Sequence, residues 1–188
     1  MSQKKSSSSA ASGQITPEVE QAQLLIPSGK FVLTSQHEDR RAGILVHWVQ
    51  RVCVEPPMLS VAVAKGKAIM PLISESRKFA LCQIGEGERL MQRKFSGESD
   101  LSDDPFLGQD LLPSKLGGVP ILSGSLAYFE CELTCHMDVE GDHDLFVGRV
   151  HAAVSADGSP RVCFAATSSA EKVSAASETS GGEEDSVD

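Results

Sequence analysis

The chain has 188 residues, of which 40% are apolar and 23% charged, and its formal net charge is −9. This length and composition predict one domain, alone or with tails. No apolar run approaches the roughly 18 residues that cross a bilayer, and residues 1–13 lack the apolar centre of a secretory signal, so we expect no membrane segment. Five cysteines, an odd number, favour a reducing cytoplasmic location over a disulfide framework.

The acidic residues are concentrated in two segments. Residues 97–104 contain four acids and no base, and residues 167–188 contain six acids and one base. The remainder of the chain is therefore neutral overall. Because no basic stripe is present, we do not expect nucleic acid as a partner.

Two terminal segments differ in composition from the middle of the chain. Residues 1–20 are rich in Ser, Ala and Gln, and residues 167–188 are rich in Ser, Ala and acids; neither shows apolar periodicity. Such segments bury too little apolar surface to offset the entropy of ordering. The sequence thus predicts disordered tails at 1–20 and 167–188 around a folded domain at 21–166.

The middle of the chain alternates between short apolar runs and turn residues. Two helices are predicted, at Ala68–Ser76 and Glu86–Phe95. The predicted strands are Lys30–Ser35, Gly43–Trp48, Leu59–Ala64, Lys78–Ile84, Leu126–Val139, Leu145–Val154 and Arg161–Ala165. Strands outnumber helices and do not alternate regularly with them, which favours a mainly β barrel with Greek-key-like connections and a few peripheral helices.

The clearest strand signal lies at Leu126–Val139. Apolar residues occupy the odd positions from Ala127 onward, while the even positions include Glu130 and other polar residues. This pattern predicts a long strand with one buried face. Gly141 and Asp142 supply a turn, so the strand and its successor form a hairpin.

Two motifs are rejected on physical grounds. The segment 84–90 resembles a dinucleotide fingerprint, but Leu90 stands in place of the third glycine and two glutamates occupy the positions facing the phosphate. Cys131 and Cys135, followed by His136, suggest a metal site. Residues four apart on a strand are separated by about 13 Å, too far for one zinc ion or a disulfide. We expect no metal site here and interpret both cysteines as core residues.

The hairpin tip, Gly141-Asp142-His143-Asp144, is the remaining motif. Its local pattern fits a polar turn whose histidine projects from the barrel rim. No Ser or Cys nucleophile stands at a recognisable spacing from a histidine. The residues alone therefore predict a cytoplasmic β-barrel without indicating its reaction.

The order of several segments resembles the flavin reductase-like family, the FMN-binding split barrels. The resemblance covers roughly residues 22–155 and is marked in particular towards the flavin reductase domains of cyanobacterial flavodiiron proteins. The segments that carry it are KFVLTS (30–35), AGILVHWVQRVC (42–53), EPPMLSVAVAK (55–65), GVPIL (118–122), LAYFEC (126–131) and GDHDLFVGRV (141–150).

This resemblance implies a homodimer that holds FMN, or FAD, and receives electrons from NADH or NADPH. The cofactors supply the hydride chemistry in such proteins, which accounts for the missing nucleophile. It implies that His143 is the catalytic residue, beside the nicotinamide. The residues implied to bind the flavin are Leu45, Val46, His47, Trp48, Cys53, Lys65, Lys67 and Ala68.

Two of these positions differ from the family pattern. His47 and Cys53 stand where relatives carry hydroxyl side chains, and a thiol is a weaker hydrogen-bond partner. Three functions therefore stay open: an NAD(P)H-dependent flavin reductase, an FMN-binding electron-transfer module without its own hydride step, and a barrel that has lost flavin and serves as an interaction domain.

Overall fold

The computed structural model describes residues 16–97 and 104–155. The predicted strand Arg161–Ala165, the predicted tail 167–188 and residues 1–15 of the predicted tail 1–20 lie outside these residues. The helices are α1 (Pro17–Gln23), α2 (Ile69–Ser76) and α3 (Arg89–Ser96). The strands are β1 (Phe31–His37), β2 (Arg40–Val46), β3 (Val49–Cys53), β4 (Met58–Ala64), β5 (Lys78–Gln83), β6 (Leu111–Leu112), β7 (Ile121–Leu122), β8 (Ala127–Asp138) and β9 (His143–Ser155). No described helix is long and apolar enough to cross a membrane.

Helix α1 forms where the sequence pattern predicts none. Thr16 caps it by accepting a hydrogen bond from the amide of Val19 at 3.4 Å, and Pro17 occupies the first turn together with two glutamates. None of its residues is buried, so local capping accounts for it. It belongs to a compact unit separate from the one formed by residues 28–163. The domain boundary at residue 21 stays a prediction.

Within the described residues, seven strands form one antiparallel sheet in the order β2-β1-β5-β8-β9-β4-β3. Strand β5 returns beside β1, and β9 returns beside β4, so the connections are Greek-key-like. Helices α2 and α3 follow β4 and β5 in the chain. The predicted mainly β architecture is confirmed.

The two edges of this sheet are joined directly. Strands β2 and β3 lie at opposite ends of the strand order, yet only His47 and Trp48 separate them in the chain. Two edge strands linked by two residues require the sheet to curl until its edges meet. The backbone oxygen of Trp48 accepts a hydrogen bond from the amide of Ala62 on β4 at 3.1 Å. We refer to His47 and Trp48 as the seam of the barrel.

The central strands are buried on both faces. In β5, Phe79 and Leu81 belong to one apolar cluster, whereas Ala80 and Cys82 belong to another. The first cluster includes the apolar side of α2, and the second includes Phe95 of α3. A sheet covered on both faces shows continuous apolar runs instead of alternation, as the sequence of β5 does.

Strand β8 departs from the predicted single buried face. The ladder between β8 and β9 shifts register between Glu130 and Cys131 and again between Leu133 and Cys135. Such irregularities change which side chains face a given surface. As a result Glu130 is completely buried, while Met137 near the end of the strand is exposed.

The buried carboxylate of Glu130 orders the segment before β7. It accepts hydrogen bonds from the hydroxyl of Ser114 at 2.6 Å and from the amides of Lys115 at 3.1 Å and Leu116 at 2.8 Å. A buried charge requires such partners. The prediction that this side chain faces solvent is therefore wrong, because a covering segment supplies its hydrogen bonds.

Candidate functional site

The seam and the β8–β9 hairpin meet at one end of the barrel. His143 is the first residue of β9 and pairs with Ala64, the last residue of β4. Its ring centroid lies 4.7 Å from that of Trp48, with the planes tilted by 46°. The structure thus brings together the predicted catalytic histidine and one of the predicted flavin-contacting residues.

His143 does not project freely from the rim as its turn context predicts. Pairing with β4 and contact with Trp48 leave 25% of its side chain exposed. Its Nδ1 lies 2.9 Å from a carboxylate oxygen of Asp142. This close approach of the imidazole holds the pKa of the Asp142 carboxyl below its ordinary value.

A charged cluster lies beside His143 on the neighbouring positions of the hairpin. Asp144 is buried, and its Oδ2 lies 2.8 Å from Nε2 of His136, whose ring stacks on Phe146. The ammonium of Lys65 lies 2.7 Å from Asp138 and 3.6 Å from the other oxygen of Asp144. The hydrogen bond from Lys65 to Asp138 raises the pKa of the lysine.

The segment between β4 and α2 has the features of an anion cradle. Gly66 has a φ of +81°, with open space where a Cβ would stand. The amide of Met70 donates to the carbonyl of Lys67 at 3.1 Å, whereas those of Ala68 and Ile69 donate to no acceptor in the described part of the chain. The Lys67 side chain likewise has no ion-pair partner among the described residues. Free N–H groups at a helix start, next to a cation, suit a phosphate.

The other predicted flavin contacts differ in accessibility. Val46 is buried in one apolar cluster and Leu45 packs against the other, so core packing occupies both side chains. His47 and Trp48 are exposed at the seam. Cys53 is half-buried at the end of β3, and its thiol donates to the carbonyl of Glu55 at 3.3 Å.

The cysteines within the described ranges are free thiols: Cys53, Cys82, Cys131 and Cys135. Cys131 is completely buried, whereas Cys135 is only half-buried. Burial raises the pKa of the Cys131 thiol to about 12, with the nearby Glu130 charge acting in the same direction. No group of three potential metal ligands occurs among the described residues.

Sequence reasoning missed the cluster that His136, Asp138 and Asp144 form with Lys65 at the base of the turn before His143. Asp138 and Asp144 are paired positions of the hairpin, and His136 precedes Asp138 by two residues in β8. Because side chains two residues apart in a strand share a face, a correct hairpin register would have brought His136 and Asp144 together. The contact of Lys65 with both aspartates depends on the pairing of β4 with β9, which no local pattern reveals.

The chain matches the family model described as "Flavin reductase like domain" over residues 24–170. A relative from Synechocystis sp. (strain PCC 6803), named as a diflavin flavoprotein, is 34% identical over 132 residues, which cover 70% of this chain and 23% of the relative. The NADH-dependent FMN reductase SmoA of Agrobacterium fabrum is 30% identical over 73% of this chain and 75% of its own. The chain spans less than a quarter of the diflavin relative's length.

A solved structure agrees with these matches. The FMN-binding protein of Thermus thermophilus with bound 1-cyclohex-2-enone superposes with a TM-score of 0.63 and 27% identity. The superposition covers 69% of this chain and 71% of that protein.

Proposed function

Since the chain belongs to the flavin reductase-like domain family, we propose that it binds FMN and passes electrons from NADH to the flavin. The observation that carries this proposal is the anion cradle at residues 66–69, which lies at the end of the strand that pairs with His143. Bound flavin would supply the hydride-accepting ring. The protein has to hold that ring beside the nicotinamide and limit access of water.

The cradle favours a phosphorylated flavin. The free amides of Ala68 and Ile69 and the cation of Lys67 present donors and positive charge from one short segment. Charge-assisted hydrogen bonds each contribute about 1.5–3 kcal/mol. FMN is therefore expected to bind more tightly than riboflavin. FAD also carries a phosphate at this position, and FMN is the preferred proposal because a relative is named as an FMN reductase.

The seam and His143 form the other end of the proposed site. Trp48 is 58% exposed, so it offers an aromatic face to a planar ring. The His143 ring centroid lies 4.7 Å from that of Trp48, so its imidazole stands beside this site, where it can hydrogen-bond the nicotinamide or the flavin edge. We propose NADH as the reductant, on the same basis as FMN, with NADPH as the alternative.

A homodimer is part of the proposal. Strand β3 lies at one end of the strand order, and Val52 in this strand and Val54 just after it are exposed apolar residues. An exposed apolar patch is a surface that a second copy can cover. Light scattering of the purified protein should give twice the chain mass, and Val54→Glu should shift it towards the monomer. A monomeric wild-type protein would contradict this part.

A cytoplasmic location is also proposed. The free thiols among the described residues fit a reducing compartment. Imaging of the labelled protein together with a compartment marker in intact cells tests this location. Finding the protein in an oxidising compartment would contradict it.

The function is tested by adding FMN to flavin-stripped protein and then anaerobic NADH. Retention of one flavin per chain followed by bleaching supports the reductase. Retention without bleaching would point to the electron-transfer module, and absence of flavin binding would point to an interaction domain.

The phosphate cradle has its own test. Lys67→Met should weaken FMN binding about tenfold or more and affect riboflavin little, because riboflavin lacks the phosphate. Equal losses for both flavins would contradict the assignment of the cradle.

A further inference from the structure

Lys65 is attached to the β8–β9 hairpin by both its backbone and its side chain. Its amide donates to the carbonyl of Asp142 at 2.9 Å. Its ammonium lies 2.7 Å from Asp138 and 3.6 Å from Asp144. Asp142 is the last residue of the turn at 139–142, and Asp138 and Asp144 lie in the strands on either side of it. Lys65 thus contacts both strands and the turn at the tip of the hairpin.

These contacts continue the sheet beyond its last regular pair. The ladder between β4 and β9 ends where Ala64 meets His143. The amide and the ammonium of Lys65 add contacts to the hairpin beyond that last pair. The turn at 139–142 is therefore tied to the end of β4 by Lys65 as well as by the ladder.

The ammonium of Lys65 lies between two carboxylates and offsets their negative charge. Asp144 is buried, and its Oδ1 accepts no hydrogen bond; its nearest cation among the described residues is Lys65. Asp138 lies on the facing strand and shares the same ammonium. Removing the cation leaves two carboxylates on adjacent strands without it, and like charges on paired positions repel.

The two lysines of this segment therefore have different surroundings. The ammonium of Lys65 is engaged by carboxylates, whereas the side chain of Lys67 has no ion-pair partner in the described part of the chain. We propose that Lys65 is a positioning residue, which fixes the His143 hairpin against the end of β4, and that it does not bind the flavin phosphate. The claim that Lys65 does not bind the flavin phosphate rests on the proposed function. The claim that it positions the His143 hairpin does not.

The effect of Lys65 is local. Ion pairs with exposed partners add little to the free energy of unfolding, and Asp138 is 64% exposed. Buried Asp144 keeps its contact with Nε2 of His136 at 2.8 Å when the ammonium is removed, so the melting temperature should stay close to that of the wild type. The reaction rate depends far more strongly than stability on the placement of a reacting group, because a displacement of about 1 Å can slow a reaction by about 100-fold.

The first experiment needs no flavin. Trp48 is the single tryptophan of the chain, so its emission reports on its contact with His143. At a fixed pH, His143→Ala in flavin-free protein should change the intensity of this emission, because the ring that contacts Trp48 is lost. Lys65→Met should reproduce at least half of this change, whereas Lys115→Met, which removes an exposed charge elsewhere, should match the wild type. Emission of Lys65→Met equal to that of the wild type would overturn the positioning role.

The second experiment compares the two lysines by the ratio of riboflavin to FMN dissociation constants. This ratio isolates the phosphate contact. Lys65→Met should leave it within twofold of the wild type, and Lys67→Met should lower it about tenfold or more. A fall in Lys65→Met equal to that in Lys67→Met would show that Lys65 binds phosphate. If the wild type bound neither flavin, the proposed function would fail, while the emission of the flavin-free variants would still decide the positioning role.

The third experiment removes the ion pair between Lys65 and Asp138 by a substitution at Asp138. Asp138→Asn deletes the charge but keeps an oxygen for the amide of Glu140, which donates to Asp138 at 2.8 Å. The rate of flavin reduction at saturating NADH should fall roughly tenfold in Lys65→Met, in Asp138→Asn and in the double variant alike, with similar FMN affinity. A double variant whose loss equals the product of the two single losses would show that the residues act independently.

Discussion

Gly148→Ala is expected to destabilise the barrel strongly, because β9 passes very close to β5 and β8 at this residue. An added Cβ would stand 2.5 and 2.6 Å from two atoms of the Phe79 ring and 2.9 Å from the Cβ of Cys131. Both neighbours are completely buried, and the Cys131 atom is attached directly to the backbone. Relief thus requires movement of a strand or of a core ring.

The expected loss is near the upper end of the range for overpacked cores, about 2–3 kcal/mol. For a domain of this size it corresponds to a fall in melting temperature of roughly 6–12 °C. Chemical denaturation followed by far-UV circular dichroism measures it. Gly124→Ala is the matched control, since its Cβ would meet only the end of Met91 at 3.7 Å.

A second variant tests the cause of this loss. Phe79→Leu removes ring atoms that the new methyl would meet, so the double variant should be less destabilised than the sum of the two single variants. A Gly148→Ala protein within about 0.5 kcal/mol of the wild type, the range of ordinary surface changes, would refute the packing argument.

His143→Ala should slow flavin reduction by NADH at least tenfold, or about 1.4 kcal/mol of transition-state stabilisation, with FMN affinity nearly unchanged; an unchanged stopped-flow rate would leave the ring a packing role. Cys53→Ser should preserve or tighten FMN binding in an equilibrium titration, since a hydroxyl is the stronger hydrogen-bond partner; weaker binding in a folded protein would contradict a flavin contact. Burial raises the pKa of Cys131 to about 12, so its thiol should resist maleimide at pH 8 while half-buried Cys53 reacts, as mass spectrometry would show. The hydrogen bond from Lys65 holds the pKa of Asp138 below its ordinary value, so the pair should persist at neutral pH and be lost only as the pH falls through that lowered value, below about pH 4. An NMR titration that gave the Asp138 carboxyl an ordinary pKa would contradict this.

Most of the sheet could be predicted from local pattern. The predicted strands within the described residues are present, with ends shifted by a few positions, and both predicted helices form. Strand β3 was not predicted as a strand because Gln50 and Arg51 interrupt its apolar residues. An edge strand exposes much of its surface and so carries little hydrophobic signal.

The environment of Glu130 could not be predicted from periodicity. Its even position in an alternating strand predicts a side chain that faces solvent. The segment that includes Ser114 covers that face of the strand and supplies the hydrogen bonds. Which segment returns to cover a face depends on long-range packing. Only an account of every buried polar group, after the fold is known, reveals it.

In the candidate site, too, the contacts between residues depend on strand pairing that local sequence does not reveal. The family resemblance named Trp48 and His143 separately, and the sheet topology places their rings in contact. The same resemblance grouped Lys65 with Lys67 because both precede a helix. The structure separates them, since the register of β4 against β9 directs Lys65 to the hairpin carboxylates.

The central claim, that this barrel passes a hydride from NADH to bound FMN, is tested most directly by anaerobic single-turnover reduction of the FMN-loaded protein. The flavin absorbance is followed with NADH and with NADH carrying deuterium at the transferred position. Bleaching that saturates with NADH concentration and slows severalfold with deuterium is the predicted result. Tightly bound flavin that is not bleached at any NADH concentration would contradict the claim.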